Sequence, residues 1–465
     1  MEKNINIRHL SFLKETHSLI VLAFPIIISQ LAQIGMNLTD TIMSGHHSET
    51  SLAGVAVGSS IWVPSFLFMV GVLMAITPLI AQAWGRGDIK EIKRTFQQGF
   101  WLSILLGLGM MAVLQSLGNL FDFMEMELIV REQAQGYVFA VSFGLPALAM
   151  FQVFRGLNEG AHFTKPYMYV SLVAVIANIP LNYVFVYGLY GMPEMGGIGC
   201  GWATAIVMWV ELLAMIFLTI YNRKIRHINW HVRWKLPNYN AIRPIIQLGF
   251  PIGIMLLIES SMFSLIALFL AKLGSIAVAG HQVAMSFISL LFMVPLSLSM
   301  ALTIRCGYLV GKGQPEQAKS VAKTGLLITL LLALVFCIII LFMGKQIAAL
   351  YTDNTAVQIL AVKLLLLAAI FQFSDAVQVT SAGILRGYKD TRHAFYVVLI
   401  AYWFIGLPLG YLLGLTDLLG PARGAEGFWI GMIAGLAIAS LMLAFRVFRV
   451  SSSYVRQAQT SPNST

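Results

Sequence analysis

Residues 221–243, YNRKIRHINWHVRWKLPNYNAIR, decide the fold, because the chain before them is largely rebuilt after them. The stretch holds six basic residues (Arg223, Lys224, Arg226, Arg233, Lys235 and Arg243) and no carboxylate, in a chain otherwise dominated by apolar runs. Moving residues 22–102 forward by 226 positions places Leu22 on Leu248, Pro25 on Pro251, Gly54 on Gly280, Phe66 on Phe292, Thr77 on Thr303, Gly87 on Gly313 and Gly99 on Gly325. The register holds across that whole block without a gap, which marks an internal duplication rather than shared composition. Beyond it the offsets drift: Arg155-Gly156 resembles Arg386-Gly387, Pro180-Leu181 resembles Pro408-Leu409, and Gly197 and Trp202 resemble Gly424 and Trp429.

The 465 residues are 58% hydrophobic and only 11% charged, with a mean hydropathy of +0.80, too little polar surface to cover a water-soluble globule. Runs of about 20 apolar residues cross a hydrocarbon core of roughly 30 Å as helices. Twelve such runs are present, six on each side of the basic stretch. The expected fold is therefore an all-α integral membrane protein of twelve transmembrane helices, in two six-helix repeats forming an N-lobe and a C-lobe around a central cleft. The expected boundaries are 1–220 for the first bundle, 221–243 for a basic linker, 244–448 for the second bundle and 449–465 for a tail. The first apolar run, from about residue 17 to 43, is too long for a cleavable signal peptide.

The net charge of +10 raises nucleic acid as a partner, but the basic residues sit in short segments between spans and form no continuous face. They read instead as topology signals. With the N-terminus inside, 25 of the 30 Lys and Arg residues fall on the inner side, which places both termini and the linker in the cytoplasm of an inner-membrane protein. An even number of spans per copy makes the repeats parallel, related by an axis along the membrane normal. Cys200, Cys306 and Cys337 are odd in number and scattered, so neither a disulfide framework nor a metal-binding spacing is present.

The informative residues are those that do not belong in lipid. Gln30, Gln33, Asn37 and Asp40 recur at helical intervals on one face of the first span. Asn178 and Asn182 stand one turn apart around Pro180 in the fifth span, where the proline frees a backbone carbonyl. Glu259 lies in the seventh span, and Gln372, Asp375 and Gln378 form a stripe in the tenth. Ionisable residues at membrane depth are costly and mark ion or substrate pathways. At 1.5 Å per residue, Glu259 is roughly 22 Å from the cytoplasmic start of its span and Asp375 roughly 15 Å from the cytoplasmic end of its own, so the two can meet. Two ionised carboxylates in a water-poor site repel, so the pair favours a bound cation or a proton. Oxygen ligands suit a hard ion, and Glu259 and Asp375 are the candidate Na+ ligands. The plainer alternative, packing polar groups tied to neighbouring helices, weighs more for Asp40, near the outer end of its span, and most for Glu211, alone in the sixth. His281 and Gln282 begin the eighth span, where a satisfied structural histidine is the simpler reading than a ligand or proton carrier. The 23 Met and 29 Phe residues can line a cavity for flat apolar cations, but most face lipid or pack helices.

Four segments together resemble the multidrug and toxic compound extrusion (MATE) family, in its NorM branch: AFPIIISQLAQIGMNLTDTIMSG, GFPIGIMLLIES, AGHQV and QFSDAVQVTSAGILRGYKDT. The resemblance runs over nearly the whole chain. It implies a monomeric antiporter in the lipid bilayer that exports organic cations and drug-like compounds in exchange for Na+ or H+, with no cofactor. It implies further that Glu259 and Asp375 form the cation site of the C-lobe, while Asp40, Asn178 and Asn182 line a polar site in the N-lobe. One position departs: Phe371 stands four residues before Asp375, where the resemblance leads one to expect a tyrosine, and a hydroxyl is lost. A lipid-linked saccharide flippase of the same superfamily would need basic cavity residues, whereas the buried charges here are mainly acids. An intramembrane enzyme would need a nucleophile with a base or a metal-ligand group, and no such constellation stands out.

Overall fold

The computed structural model describes residues 2–118, 121, 126–226, 228 and 234–460, with side chains from Leu13 onward. Arg233 and Asn229 of the linker lie outside the described residues. In chain order the helices are α1 (Glu2–His47), α2 (Glu49–Leu73), α3 (Ile76–Arg86), α4 (Ile89–Gly118), α5 (Leu128–Ser142), α6 (Leu145–Gly160), α7 (Lys165–Tyr187), α8 (Gly197–Tyr221) and the short α9 (Arg223–Arg226). They continue as α10 (Tyr239–Ala271), α11 (Ser275–Gly311), α12 (Pro315–Tyr351), α13 (Thr355–Gly387), α14 (Thr391–Leu399), a π-helical segment Ile400–Gly406, α15 (Leu407–Leu415) and α16 (Ala425–Thr460). Among the described residues there is no strand beyond one isolated bridge, Leu418 to Gly420. The fold is all-α for a physical reason: a helix satisfies its own backbone polar groups where no water can.

Among the described residues, eleven helical stretches are long and apolar enough to cross a membrane, and α5 with α6, bent by 43°, makes twelve when the pair is taken as one span. The expected turns are visible at both repeats. Gly87 closes α3 at φ 70°, and Gly313, 226 positions later, follows α11 at φ 74°, a left-handed conformation that glycine adopts without steric cost. The final helix runs on to Thr460, so most of the tail segment 449–465 continues the last span as helix.

The chain folds into two compact units, one made of Pro25–Gly253 and the other of Met1–Phe24 with Ile254–Thr465. These divisions fall inside α1 and α10, whereas the sequence placed the divide at the 221–243 linker. The first half of α10 stays with the N-terminal unit because glycines let it approach α2 closely. A Cβ on Gly253 would sit 2.7 Å from the Phe68 carbonyl oxygen, and one on Gly249 would collide with the Val72 carbonyl. Phe68 and Phe250 pack edge to face across the same contact. Within the other unit, Glu15 at the start of the chain accepts hydrogen bonds from Arg305 Nε and Nη2 at 3.1 and 3.0 Å.

The duplication is also readable in packing. In the first copy Gly99 admits Ile76, and in the second Gly325 admits Leu302, both pairs separated by the same 226 positions. Gly160 rests against Thr77 and Ile80, and Gly387 against Thr303 and Cys306. The turns after α6 and α13 correct one detail of the sequence alignment. His162 (φ 69°) and Lys389 (φ 62°) occupy the same left-handed position, an offset of 389 − 162 = 227. Arg386 therefore stands opposite Glu159, whereas the sequence had paired it with Arg155, and the offset drift around this turn shrinks to one residue.

Each unit buries a helix rich in hydrogen-bonded polar side chains. In the N-terminal unit it is α6, whose residues 151–160 are all buried. Arg155 Nε donates to Glu159 Oε1 at 2.7 Å and its guanidinium lies 3.8 Å from the Tyr167 ring centroid, while Asn158 donates to Thr219 Oγ1 at 2.8 Å. In the C-terminal unit it is α13, which packs against α11, α12 and α16. Ser299 donates to the Val379 carbonyl at 2.6 Å, Thr303 to the Gly383 carbonyl at 2.7 Å, and Arg386 Nη2 to Ser299 Oγ at 2.8 Å. Arg155 and Arg386 are thus buried residues and not loop charges. Setting them aside leaves the excess of basic residues on the side of the linker unchanged in sign.

Candidate cation-binding sites

In the C-terminal unit, α10, α11, α13 and the π segment surround a cavity of about 270 Å³, lined by Glu259, Asp375, Gln378, Phe371, Tyr402 and neighbouring apolar residues. Gln378 Nε2 donates to Glu259 Oε1 at 2.8 Å, which fixes one carboxylate oxygen. Asp375 shares the cavity from one turn earlier on α13 and is 8% exposed. The two acids therefore face one small space from different helices, an arrangement in which a cation or proton relieves their repulsion.

Tyr402 was not visible as a site residue in the sequence. Pro408 lacks the amide that would bond to the Phe404 carbonyl, and the helix before it widens into the π segment. That widening rotates the face presented by Tyr402 relative to a regular helix, so heptad or 3.6-residue counting cannot place it. Phe371 lines the same cavity without a hydroxyl, and its ring packs edge to face on Trp429 at 5.9 Å.

The remaining candidates of this unit stand apart. Trp429 Nε1 donates to His281 Nδ1 at 3.2 Å, so this buried histidine is an acceptor held by the indole. Gln282 is exposed and reaches toward Ser286 Oγ at 3.4 Å, away from the cavity lining. Gln372 is fully buried, outside the cavity lining, and both polar atoms of its amide lack a hydrogen-bond partner.

In the N-terminal unit, Asp40 gathers a tighter cluster. Asn182 Nδ2 and Asn178 Nδ2 donate to its Oδ1 at 2.6 and 3.2 Å, and Thr204 Oγ1 donates to its Oδ2 at 3.0 Å. The carboxylate is 7% exposed, and the side-chain carbonyl oxygens of both asparagines are buried without a donor. Gln33, Asn37 and Glu211 line the adjoining cavity of about 160 Å³ with Trp62, Met36 and Met208. Glu211 is 3% exposed and its Oε1 has no hydrogen-bond partner. Pro180, inside α7 between the two asparagines, removes the amide that would bond to the Ile176 carbonyl and loosens the helix at the cluster. Thr204 was missed by sequence reading because a single hydroxyl in an apolar span carries no pattern. Among the described residues, neither cavity is lined by Lys or Arg.

The profile of the MatE family matches residues 25–184 and again residues 251–412, one match in each copy of the duplication. The chain belongs to the MatE family. It is 44% identical over 437 residues to the multidrug resistance protein NorM of Photobacterium profundum, an alignment covering 94% of this chain and 96% of that one, which assigns it to the NorM branch. Solved structures share the fold at lower identity. The eukaryotic MATE transporter AtDTX14 superposes with a TM-score of 0.85 at 19% identity, covering 96% of this chain and 100% of that one. A MOP superfamily transporter from Pyrococcus furiosus Vc1 (DSM3638) superposes with a TM-score of 0.83 at 20% identity, covering 95% and 96%. This MatE protein is accordingly a multi-pass membrane transporter and not an enzyme.

Proposed function

We propose that the chain is a secondary active multidrug efflux antiporter of the inner membrane, working as a monomer with both termini in the cytoplasm. It exports organic cations and drug-like compounds in exchange for Na+ or H+ by alternating access. The observation that carries the reading is the meeting of Glu259 and Asp375 on one cavity whose other walls are largely aromatic and apolar. Acids without a lining Lys or Arg favour positive cargo, and this argues against the diphosphate group of a lipid-linked saccharide.

Coupling follows from the chemistry of the site. A pair of carboxylates that cannot both stand ionised takes up Na+ or H+ from outside and releases it inside when the surroundings of the pair change. Each positive charge moving inward across 100 mV yields about 2.3 kcal/mol, which drives export only where more positive charge enters than the substrate carries out; otherwise the Na+ or H+ concentration gradient supplies the work. The name of the Photobacterium relative supports the substrate class. The test is efflux of a cationic dye from cells or inverted vesicles with Na+ and pH gradients imposed one at a time. Efflux that responds to neither gradient rejects the antiport reading.

A further inference from the structure

A second kind of site lies where α13 ends and α16 passes beside it. A cavity of about 340 Å³ there is lined by Tyr388, Lys389, Asp390, Arg446, Arg449, Ser453 and Tyr454. Its formal charge is three cations less one carboxylate, a net +2. The carboxylate is already compensated: Arg446 Nε donates to Asp390 Oδ2 at 2.6 Å, and His393 Nδ1 lies 2.7 Å from Asp390 Oδ1. Arg449 has no carboxylate partner among the described residues, and its side chain is exposed, as are those of Lys389 and Ser453.

The backbone fixes this arrangement. Lys389 takes the left-handed position that ends α13, and the amides of Lys389 and Asp390 bond back to the carbonyls of Arg386 and Leu385 at 2.9 Å each. Tyr454 Oη donates to the Tyr388 carbonyl at 3.4 Å, tying α16 to the turn. The Tyr388 hydroxyl is buried with no hydrogen-bond partner, and burial pushes its phenol above the ordinary tyrosine range, so it stays protonated and able to donate.

The duplicated scaffold does not account for the charge. At the 227-position offset the first copy has His162, Thr219 and Asn222 where this one has Lys389, Arg446 and Arg449. Lys389 and Arg449, beside an Arg446 held on Asp390, with a serine and a tyrosine hydroxyl around one recess at the end of membrane-spanning helices, are the kind of donors that bind phosphate oxygens.

We infer that this recess binds a phosphate-bearing anion, supplied by the headgroup of an anionic phospholipid or by soluble phosphate. The site is separate from both acid-lined cavities and does not depend on the transport reading.

The test uses purified full-length protein in detergent, titrated separately with short-chain phosphatidylglycerol and with inorganic phosphate, binding being read by calorimetry. Arg449→Gln and Lys389→Gln should each weaken binding about fivefold, the cost of one lost cation near an anionic group. Lys312→Gln and Lys323→Gln, which remove equal charge elsewhere in the same unit, should leave it unchanged. Saturable binding of phosphatidylglycerol alone with this pattern assigns the lipid headgroup, and the same pattern with inorganic phosphate assigns the soluble anion. Equal weakening in all four variants, or no saturable binding of either probe, overturns the inference.

Discussion

Gln378 donates a 2.8 Å hydrogen bond to Glu259 from a residue 119 positions away, joining α13 to α10 at the wall of the cavity that also holds Asp375. The bond holds one oxygen of Glu259, so the amide positions the acid without neutralising it. The behaviour of this pair is the most direct check on the proposed coupling.

Glu259→Gln and Asp375→Asn keep size and some hydrogen bonding while removing the charge. Each should reduce gradient-driven dye efflux to background, with normal yield of folded protein, and the double variant should be no worse than either single one, because members of one functional unit are not additive. Full gradient-dependent efflux in both single variants would move the coupling site elsewhere.

Asp40→Asn should act differently, because Asp40 already accepts three side-chain hydrogen bonds within the N-terminal unit. Turnover or substrate range should change while Na+ binding to the C-terminal unit persists. Loss of all Na+ binding in this variant alone, measured by equilibrium dialysis, would show the assignment to be reversed.

Tyr402 brings a phenol to the cavity wall that Phe371 lines without one. Tyr402→Phe should weaken Na+ or H+ binding about tenfold, the loss of roughly one ligand hydrogen bond or ion contact, and Phe371→Tyr should strengthen it. Unchanged affinity in Tyr402→Phe would reduce the residue to packing.

Gly253→Val places branched carbon against the Phe68 carbonyl, where a Cβ already falls 2.7 Å away. Neither backbone can retreat without unpacking its helix, so stability should fall by about 1–3 kcal/mol or more. Thermal melting in detergent with size-exclusion profiles reads the effect, and a wild-type melting curve would show that α10 does not need this close approach.

Orientation is open to a chemical test at the linker. In a background lacking Cys200, Cys306 and Cys337, a cysteine at Asn229 should resist an impermeant thiol reagent in intact cells and react once the membrane is opened. Labelling of intact cells would invert the topology.

The sequence by itself was enough to read the apolar spans, the duplication and the acids that stand inside the spans. Each of these rests on local information: apolar length against bilayer thickness, a constant offset between copies, and the cost of a charge in lipid. Helical spacing put Gln33, Asn37 and Asp40 on one face, and they do line one cavity; that Asn178 and Asn182 belong with Asp40 was implied only by the family resemblance, and both amides do reach it. Only the tertiary structure decided which other groups join them. Tyr402 enters through a π-helical widening, Thr204 arrives from a separate span, and Gln282, next to His281 in the chain, turns outward. The unit boundaries fall within α1 and α10, and the close approach of Gly249 and Gly253 to α2 keeps the first half of α10 in the N-terminal unit. Helix phase, local distortion and close backbone approach depend on neighbours distant in sequence, and no window along the chain contains them.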